Sequence, residues 1–147
     1  MSADLACLTI VTLGVDDLAR ATRFYEALRF VRKARGSGEG IAFFAAGGTV
    51  LALYPWELLA GDAKVSASPR PTAFRGTTLA WNCASPAVVD AVLAKAQSAG
   101  GRLLKAAQTV FWGGYSGHFA DPDGHVWEVA HNPFFQLSED GRVLLPE

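Results

Sequence analysis

Apolar and polar residues follow one another in two successive blocks that predict the same order of elements. In the first block, the β-branched and apolar run Leu5–Val15 predicts a strand. Apolar residues at helical spacing from Leu18 to Leu28 then predict a helix, with Asp16 or Asp17 as its N-cap. Three further strands, separated by turns that contain glycine, are predicted at residues 30–34, 40–45 and 49–54.

The second block repeats this order after a connector that contains Ser66–Pro71, SASPRP. TTLAWNC, residues 77–83, predicts a strand, and Ser85 followed by Pro86 is a strong helix start. Gly100 with Gly101 ends that helix. Three strands are predicted after it, at residues 102–108, 115–120 and 125–130, and the DPDG turn at 121–124 joins the last two.

The repeated order predicts an α+β fold of two βαβββ modules within one domain. The modules span about residues 5–60 and 76–133, with a linker at about 61–75 and a C-terminal extension at 134–147. In one such module a single helix covers one face of a four-stranded sheet and leaves the other face open. Two curved sheets that face each other enclose a cup, so the pattern predicts a small-molecule cavity.

Composition and charge narrow the classes of partner. The chain has 147 residues, half of them apolar, and a formal net charge of −1, which is typical of a globular domain. No basic run in the sequence is longer than RKAR at residues 32–35. Because phosphate binding needs a concentrated basic face, we expect no nucleic-acid partner. The start MSADL lacks the features of a signal peptide, and the apolar runs are too short for a membrane span. We therefore expect a soluble, cytoplasmic protein with no membrane partner.

Cys7 and Cys83 lie in apolar, strand-like runs without zinc or redox spacing. We expect both to be buried free thiols.

All three histidines fall within one short segment near the C-terminus, His118–Pro133. Because strand residues alternate between faces, His125, Trp127 and His131 share one face of the last predicted strand. Glu128 points to the other face. His125 and His131 therefore cannot act together with Glu128 on one regular strand, and we expect them to be scaffold, with Trp127 in the core under a helix.

The sequence resembles the vicinal oxygen chelate superfamily, which includes glyoxalases, bleomycin resistance proteins and extradiol dioxygenases. The resemblance rests on LGVDDLARATRFY (Leu13–Tyr25), on the paired strand–helix units and most of all on FADPDGHVWE (Phe119–Glu128). It covers the chain through about Pro133. It implies two curved mixed sheets that form a cup-shaped cavity.

In metal-dependent members of that family, the cup carries up to four His, Gln or Glu ligands. Carried over position by position, these fall on Ile10, near Ala52, on Thr78 and on Glu128. Only Glu128 binds a divalent metal well, since Ile10 and Ala52 have no donor atom and a Thr hydroxyl is a poor ligand. We therefore expect no metal and no other cofactor, a divalent metal being disfavoured.

The resemblance also places His118 on the cavity side of the strand before the DPDG turn, with Ser116 on the same face. His118 and Glu128 then face one cavity across a hairpin. Two interpretations stay open. The pair acts in acid–base catalysis or binds a polar ligand, or it is a buried pair whose members only satisfy each other's hydrogen bonds.

Alternation adds further ligand-binding candidates. Thr78 and Asn82 share the face of Glu128, with a role near the strand end as the alternative for Asn82, whereas Trp81 lies on the opposite face and is predicted as core. Tyr54, at the Pro55 break, and Trp112, before a Gly-rich strand entry, are candidate walls of the cup, and simple packing is the alternative for Trp112.

These residues predict a metal-independent, bleomycin-resistance-like protein that binds an apolar or aromatic ligand, with Glu128 and His118 as catalytic or polar contacts. The alternative is a glyoxalase-like lyase or isomerase, or a dioxygenase, acting on a small carbonyl or catechol compound with Glu128 as metal ligand or general base. A homodimer is a further expectation, for which Phe134 and Phe135 in the tail are candidate interface residues.

Overall fold

The structure is a computed structural model that describes residues 5–33 and 40–147. Its helices are α1 (Leu18–Ala27), α2 (Trp56–Ala63) and α3 (Pro86–Ser98). Its strands are β1 (Ile10–Val15), β2 (Val31–Lys33), β3 (Ala42–Ala46), β4 (Thr49–Pro55), β5 (Thr78–Asn82), β6 (Arg102–Thr109), β7 (Tyr115–Ala120), β8 (Val126–His131), β9 (Gln136–Leu137) and β10 (Val143–Leu144). The last residue of the strand predicted at 30–34 lies outside the described residues.

Two open, curved four-stranded sheets confirm the predicted α+β fold of two βαβββ modules. The N-terminal sheet has the strand order β1-β4-β3-β2, and the C-terminal sheet has the order β5-β8-β7-β6. In each sheet the first and last strands of the module run parallel, and the other neighbours are antiparallel. The helix after each first strand provides the crossover that this parallel pairing needs.

The predicted helix starts are confirmed by their capping bonds. The Asp17 carboxylate accepts a hydrogen bond from the backbone N–H of Arg20 at 3.0 Å. The Ser85 hydroxyl accepts one from the N–H of Val88 at 3.3 Å, and Pro86 is the first residue of α3. Each cap satisfies a donor that the helix itself leaves free.

The prediction that Cys7 is buried was wrong. Strand β1 begins at Ile10, opposite Val50, and the backbone of its partner β4 reaches back only to Thr9, whose carbonyl oxygen accepts a hydrogen bond from the Val50 N–H. Cys7 therefore precedes the sheet and is exposed, whereas Cys83 is buried. Both thiols are free, and burial raises the pKa of the Cys83 thiol to about 11.

Helix α1 connects the two sheets through its aromatic side chains. The Tyr25 ring lies 6.2 Å from the ring of Phe44 in the N-terminal sheet and 6.0 Å from that of Trp127 in the C-terminal sheet. Phe24 contacts Phe119 at a ring separation of 6.1 Å. The two sheets therefore share one core across α1, and Trp127 is buried in it as predicted. The opposite face of each sheet lies outside that core.

Helix α3 presents two apolar sides. Val89, Leu93 and Ala96 are buried where the helix packs on the C-terminal sheet. Val92 is only partly buried, and the Val88 side chain stays 43% exposed. The apolar surface of α3 is thus divided, and its second side faces the groove between the modules.

The DPDG turn closes on a buried carboxylate. Asp121 Oδ1 accepts hydrogen bonds from the backbone N–H groups of Asp123 and His125, both at 2.9 Å. Its Oδ2 accepts a bond from the Tyr25 hydroxyl at 2.6 Å, and that hydroxyl accepts a bond from Trp127 Nε1 at 3.0 Å. The Asp121 side chain therefore stabilises the β7–β8 turn and connects it by a hydrogen bond to α1.

The same turn binds the junction between β1 and α1. Asp123 Oδ1 accepts a hydrogen bond from the N–H of Asp16 at 2.8 Å, and burial raises the pKa of the Asp123 carboxyl. His125 Nε2 lies 2.7 Å from the carbonyl oxygen of Gly14, and its Nδ1 lies 3.0 Å from the Arg75 guanidinium. Since a guanidinium can only donate, Nδ1 accepts and Nε2 donates. We call this set of contacts around residues 121–125 the DPDG clamp.

We expect Tyr25→Phe to lower the free energy of unfolding by about 2–3 kcal/mol, because it leaves a buried carboxylate oxygen and the Trp127 N–H without their partner. Urea denaturation followed by circular dichroism measures this loss.

Tyr115→Phe is the matched control. Tyr115 donates a similar hydrogen bond, 2.7 Å to Asp90 Oδ1, but on the exposed surface. Its loss should cost less than about 1 kcal/mol. Equal losses for the two variants would contradict a special role of the buried tyrosine.

Candidate functional site

The outer face of the C-terminal sheet carries most of the predicted site residues. Directly opposed residues of neighbouring strands project their side chains to the same face, and on this face they form three cross-strand rows. The rows are Lys105–His118–Glu128–Ala80, Gln108–Ser116–Ala130–Asn82 and Arg102–Ala120–Val126–Thr78. We call this surface the open face; the opposite side of the sheet carries Phe119 and Trp127 and belongs to the core.

His118 and Glu128 are directly opposed at the centre of the open face. His118 Nε2 lies 4.0 Å from Glu128 Oε2, and the two side chains are 25% and 35% exposed. This separation exceeds a hydrogen bond of about 3 Å. The two groups therefore do not satisfy each other, and both can reach a third polar group placed above them.

The other two histidines bind the scaffold. His125 is part of the DPDG clamp. His131 Nδ1 lies 3.0 Å from the carbonyl oxygen of Cys83 and joins the ends of β8 and β5. These contacts account for both rings without any ligand, as the alternation of the strand predicts.

The two predicted walls of the cup lie in different places. The Trp112 indole lies across the backbone of Gly114, where any side chain would overlap the ring, so it stands beside the entry to β7 and the open face. Tyr54 lies on β4 in the N-terminal sheet, opposite Gly14. Within one chain, Thr78, Asn82, Ser116, His118 and Glu128 share a face, and Tyr54 belongs to the other sheet.

Trp81 packs in the core, as predicted. Its ring lies 5.2 Å from that of Phe30 and 6.5 Å from that of Trp127.

Sequence reasoning missed two polar residues of the open face, Lys105 and Gln108. Strand β6 pairs with β7 through two irregularities, between Leu103 and Lys105 and between Lys105 and Gln108. Each irregularity shifts the alternation of faces. Counting residues along β6 therefore does not reveal which of its side chains lie beside His118 and Ser116.

A groove of about 880 Å³ separates the two modules on the core side of the sheets. Its floor includes Phe30, Trp81 and Trp127, and one wall is the second apolar side of α3 with Val88 and Val92. Of the predicted ligand-binding residues, Asn82 lines this groove, and His118 and Glu128 do not. This groove thus meets the open face at the edge strand β5, where Ala80 and Asn82 line it, and does not include His118 or Glu128.

The C-terminal extension reaches back to the first module. Strands β9 and β10 form a short hairpin, and its Arg142 side chain lies across Gly48 in the β3–β4 turn, a place that only glycine leaves free. Arg142 and Val143 line one side of the groove between the modules.

The side chains at the family's ligand positions do not fit a divalent metal. Ile10 and Ala52 are hydrocarbon, and Thr78 brings only a hydroxyl to the open face beside Glu128. Within residues 5–33 and 40–147, no group of three or more His, Cys, Asp or Glu side chains is placed to hold a metal ion. In the same part of the chain, no helix is long and apolar enough to cross a membrane.

A family model described as "Glyoxalase/Bleomycin resistance protein/Dioxygenase superfamily" matches residues 8–129. The chain belongs to this superfamily. The match includes both modules, the DPDG clamp and the open face. Members of this superfamily bind small molecules, and the match does not specify one reaction or one ligand within the superfamily.

Solved structures agree with this assignment. A glyoxalase-related enzyme from Fulvimarina pelagi is 34% identical, covers 97% of this chain and 100% of its own, and has a TM-score of 0.86. A glyoxalase/bleomycin resistance protein/dioxygenase family enzyme from Burkholderia phytofirmans PsJN is 16% identical over 86% of this chain and 98% of its own, with a TM-score of 0.76. Lactoylglutathione lyase from Agrobacterium tumefaciens is 21% identical over 87% of this chain and 95% of its own, with a TM-score of 0.63. The last two show the fold alone. No match was found among curated proteins.

We expect Glu128→Gln to change the free energy of unfolding by less than about 1 kcal/mol, because a partly exposed pair of side chains 4.0 Å apart contributes little to stability. Chemical denaturation at neutral pH measures the change.

Asp121→Asn is the matched comparison, an acid-to-amide change in the DPDG clamp. It should lower stability by about 1.5–3 kcal/mol, since it removes a charged acceptor from a buried hydrogen bond. A loss at Glu128 as large as that at Asp121 would show that the pair on the open face is structural.

Proposed function

We propose that this protein binds a small apolar or aromatic molecule on the open face, without a metal ion. The observation that carries the proposal is the half-exposed pair of His118 and Glu128, which is opposed across β7 and β8 but not hydrogen-bonded. The pair lies beside the small apolar side chains of Ala80, Ala130 and Val126 in its own and the neighbouring rows, and convergent polar groups next to apolar surface are typical of ligand sites. The hydrocarbon side chains at the family's metal-ligand positions support the metal-free mode of binding.

The polar residues suit a ligand with a head group that both donates and accepts hydrogen bonds. The Glu128 carboxylate accepts, and an imidazole N–H of His118 donates. Thr78, Ser116 and Asn82 surround the pair in the neighbouring rows. The Trp112 indole beside the face supplies an aromatic wall.

We infer that a second copy of the chain completes the cup. Strands β1 and β5 are each the edge strand of a sheet, so each has one unpaired backbone side. The groove between the modules, which both strands line, exposes apolar side chains such as Leu8, Val31 and Val88. Pairing β1 of one copy with β5 of the other would join two sheets and bring Tyr54 of one copy towards Glu128 of its partner.

A neutral aromatic amide tests the binding site. We expect naphthalene-2-carboxamide to bind with one site per chain in isothermal titration calorimetry, with the same affinity in the presence of EDTA. Glu128→Gln should weaken binding at least fivefold, because the carboxylate that accepts the amide N–H becomes neutral. Glu139→Gln, a change of an exposed residue in the tail, should have no effect. Absence of binding, or binding that requires an added metal, would overturn the proposal.

The dimer has its own matched pair of variants. Wild-type protein should elute in light-scattering chromatography at twice the 15.6 kDa chain mass. Val88→Glu, in the groove, should give a monomer with weakened amide binding, whereas Val65→Glu, at another exposed valine that follows α2 outside the groove, should not. A monomeric wild type that binds the amide fully would contradict the shared cup.

An enzymatic role of the same pair is the second candidate. It is favoured by the description of the 34% identical Fulvimarina pelagi structure as a glyoxalase-related enzyme. In this role, Glu128 would take a proton from the carbon beside a carbonyl, and His118 would donate a hydrogen bond to the carbonyl oxygen. The two roles differ in one respect: an enzyme requires pH-dependent turnover that Glu128→Gln abolishes, and a binding protein does not.

A further inference from the structure

The central row of the open face continues past the predicted pair to a lysine. Lys105 on β6 is directly opposed to His118, which is directly opposed to Glu128. Neighbouring strands lie about 4.8 Å apart, so the backbones of Lys105 and Glu128 are separated by about 10 Å. The row therefore presents a cation at one end, an imidazole in the middle and a carboxylate towards the other end.

Lys105 is exposed and takes part in none of the ion pairs formed among the described residues. Its nearest acidic neighbour in the row is Glu128, on the far side of His118. Gln108 lies on the same face in the next row and adds an amide that can donate hydrogen bonds. The β6 end of the open face thus has hydrogen-bond donors and two cations, Lys105 and, in the row of Thr78, Arg102; of these, Lys105 is the one directly opposed to His118.

We propose that Lys105 binds an anionic group of the ligand. The site would therefore select a small organic anion. The inference rests on the proposed binding of a polar head group by His118 and Glu128. A carboxylate, sulfonate or phosphate is repelled by Glu128 and attracted by Lys105, so the row admits such a ligand in one orientation. The anion lies towards β6 and a neutral, hydrogen-bonding group lies over His118 and Glu128.

A structural role of Lys105 makes a different prediction. β6 is an edge strand, and a charged residue on an edge strand blocks pairing with another chain. In that role the lysine affects aggregation, and it leaves the preference between charged and neutral ligands unchanged.

The test compares two probes of the same shape, 6-carbamoyl-2-naphthoate and naphthalene-2,6-dicarboxamide. The first carries a carboxylate at the end where the second carries a neutral amide. In calorimetric titrations at low salt, wild-type protein should bind the carboxylate at least tenfold more tightly. The preference should shrink at 0.5 M salt, because the lysine is exposed and its charge is screened.

Lys105→Met should remove most of this preference, because Arg102 on the same face is not opposed to His118, and should leave the affinity for the diamide within twofold of wild type. Lys105→Arg should keep most of it, and Lys64→Met, which removes an exposed cation after α2 and outside the groove, should keep all of it. If Lys105→Met does not fold, Lys105→Gln replaces it, and diamide binding reports that the site is intact.

Each outcome bears on one claim. An unchanged preference for the carboxylate in Lys105→Met, or no preference in the wild type, overturns the role of Lys105. The diamide then still binds in a Glu128-dependent way, and the proposed function stands. If neither probe binds the wild type, the proposed function fails and the inference fails with it.

Discussion

The hydrogen bond from the Tyr25 hydroxyl to the Asp121 carboxylate holds the two modules in their relative position. It joins α1, the element that both sheets share, to the turn that aligns β7 with β8. Burial and the neighbouring Asp121 charge raise the pKa of the Tyr25 phenol well above its usual value, so the phenol remains a donor at any physiological pH. Since His118 and Glu128 lie on the two strands of this hairpin, the position of the candidate site follows from this one contact.

The part of the sequence that identifies the family is therefore mainly scaffold. Asp121, Asp123 and His125 all serve the DPDG clamp, and their partners Gly14 and Asp16 lie in the segment that also carries the resemblance. A buried carboxylate with several backbone donors is costly to replace, whereas a residue that faces a ligand can change with the ligand. The sequence of this chain consequently identifies its family. At the family's metal-ligand positions, however, Ile10 and Ala52 stand where metal-dependent members have ligands.

The shared core leaves one face of each sheet outside it, partly covered by α2 in the N-terminal sheet, and leaves β1 and β5 as edge strands. Helix α1 lies between the two sheets. The open face with Glu128 and the outer side of β4 with Tyr54 therefore do not face each other within one chain. The second apolar side of α3 and the groove beside it remain exposed for the same reason. One side of the chain carries the candidate polar contacts for a ligand, and the other carries unpaired apolar surface. A cup shared between two copies would require both.

Local physical chemistry alone determined the elements, the caps at Asp17 and Ser85, and the division of β8 between a core face with Trp127 and an outer face with Glu128. These features depend on residues a few positions apart, and hydrophobic periodicity and capping act over that range. Only the tertiary structure decided where β1 begins, because a strand extends only as far as its partner, and how the apolar surface of α3 is divided. It also placed Tyr54 on a separate sheet and Lys105 beside His118. The register of β6 across two irregularities is set by packing between strands distant in sequence, which no periodic pattern records.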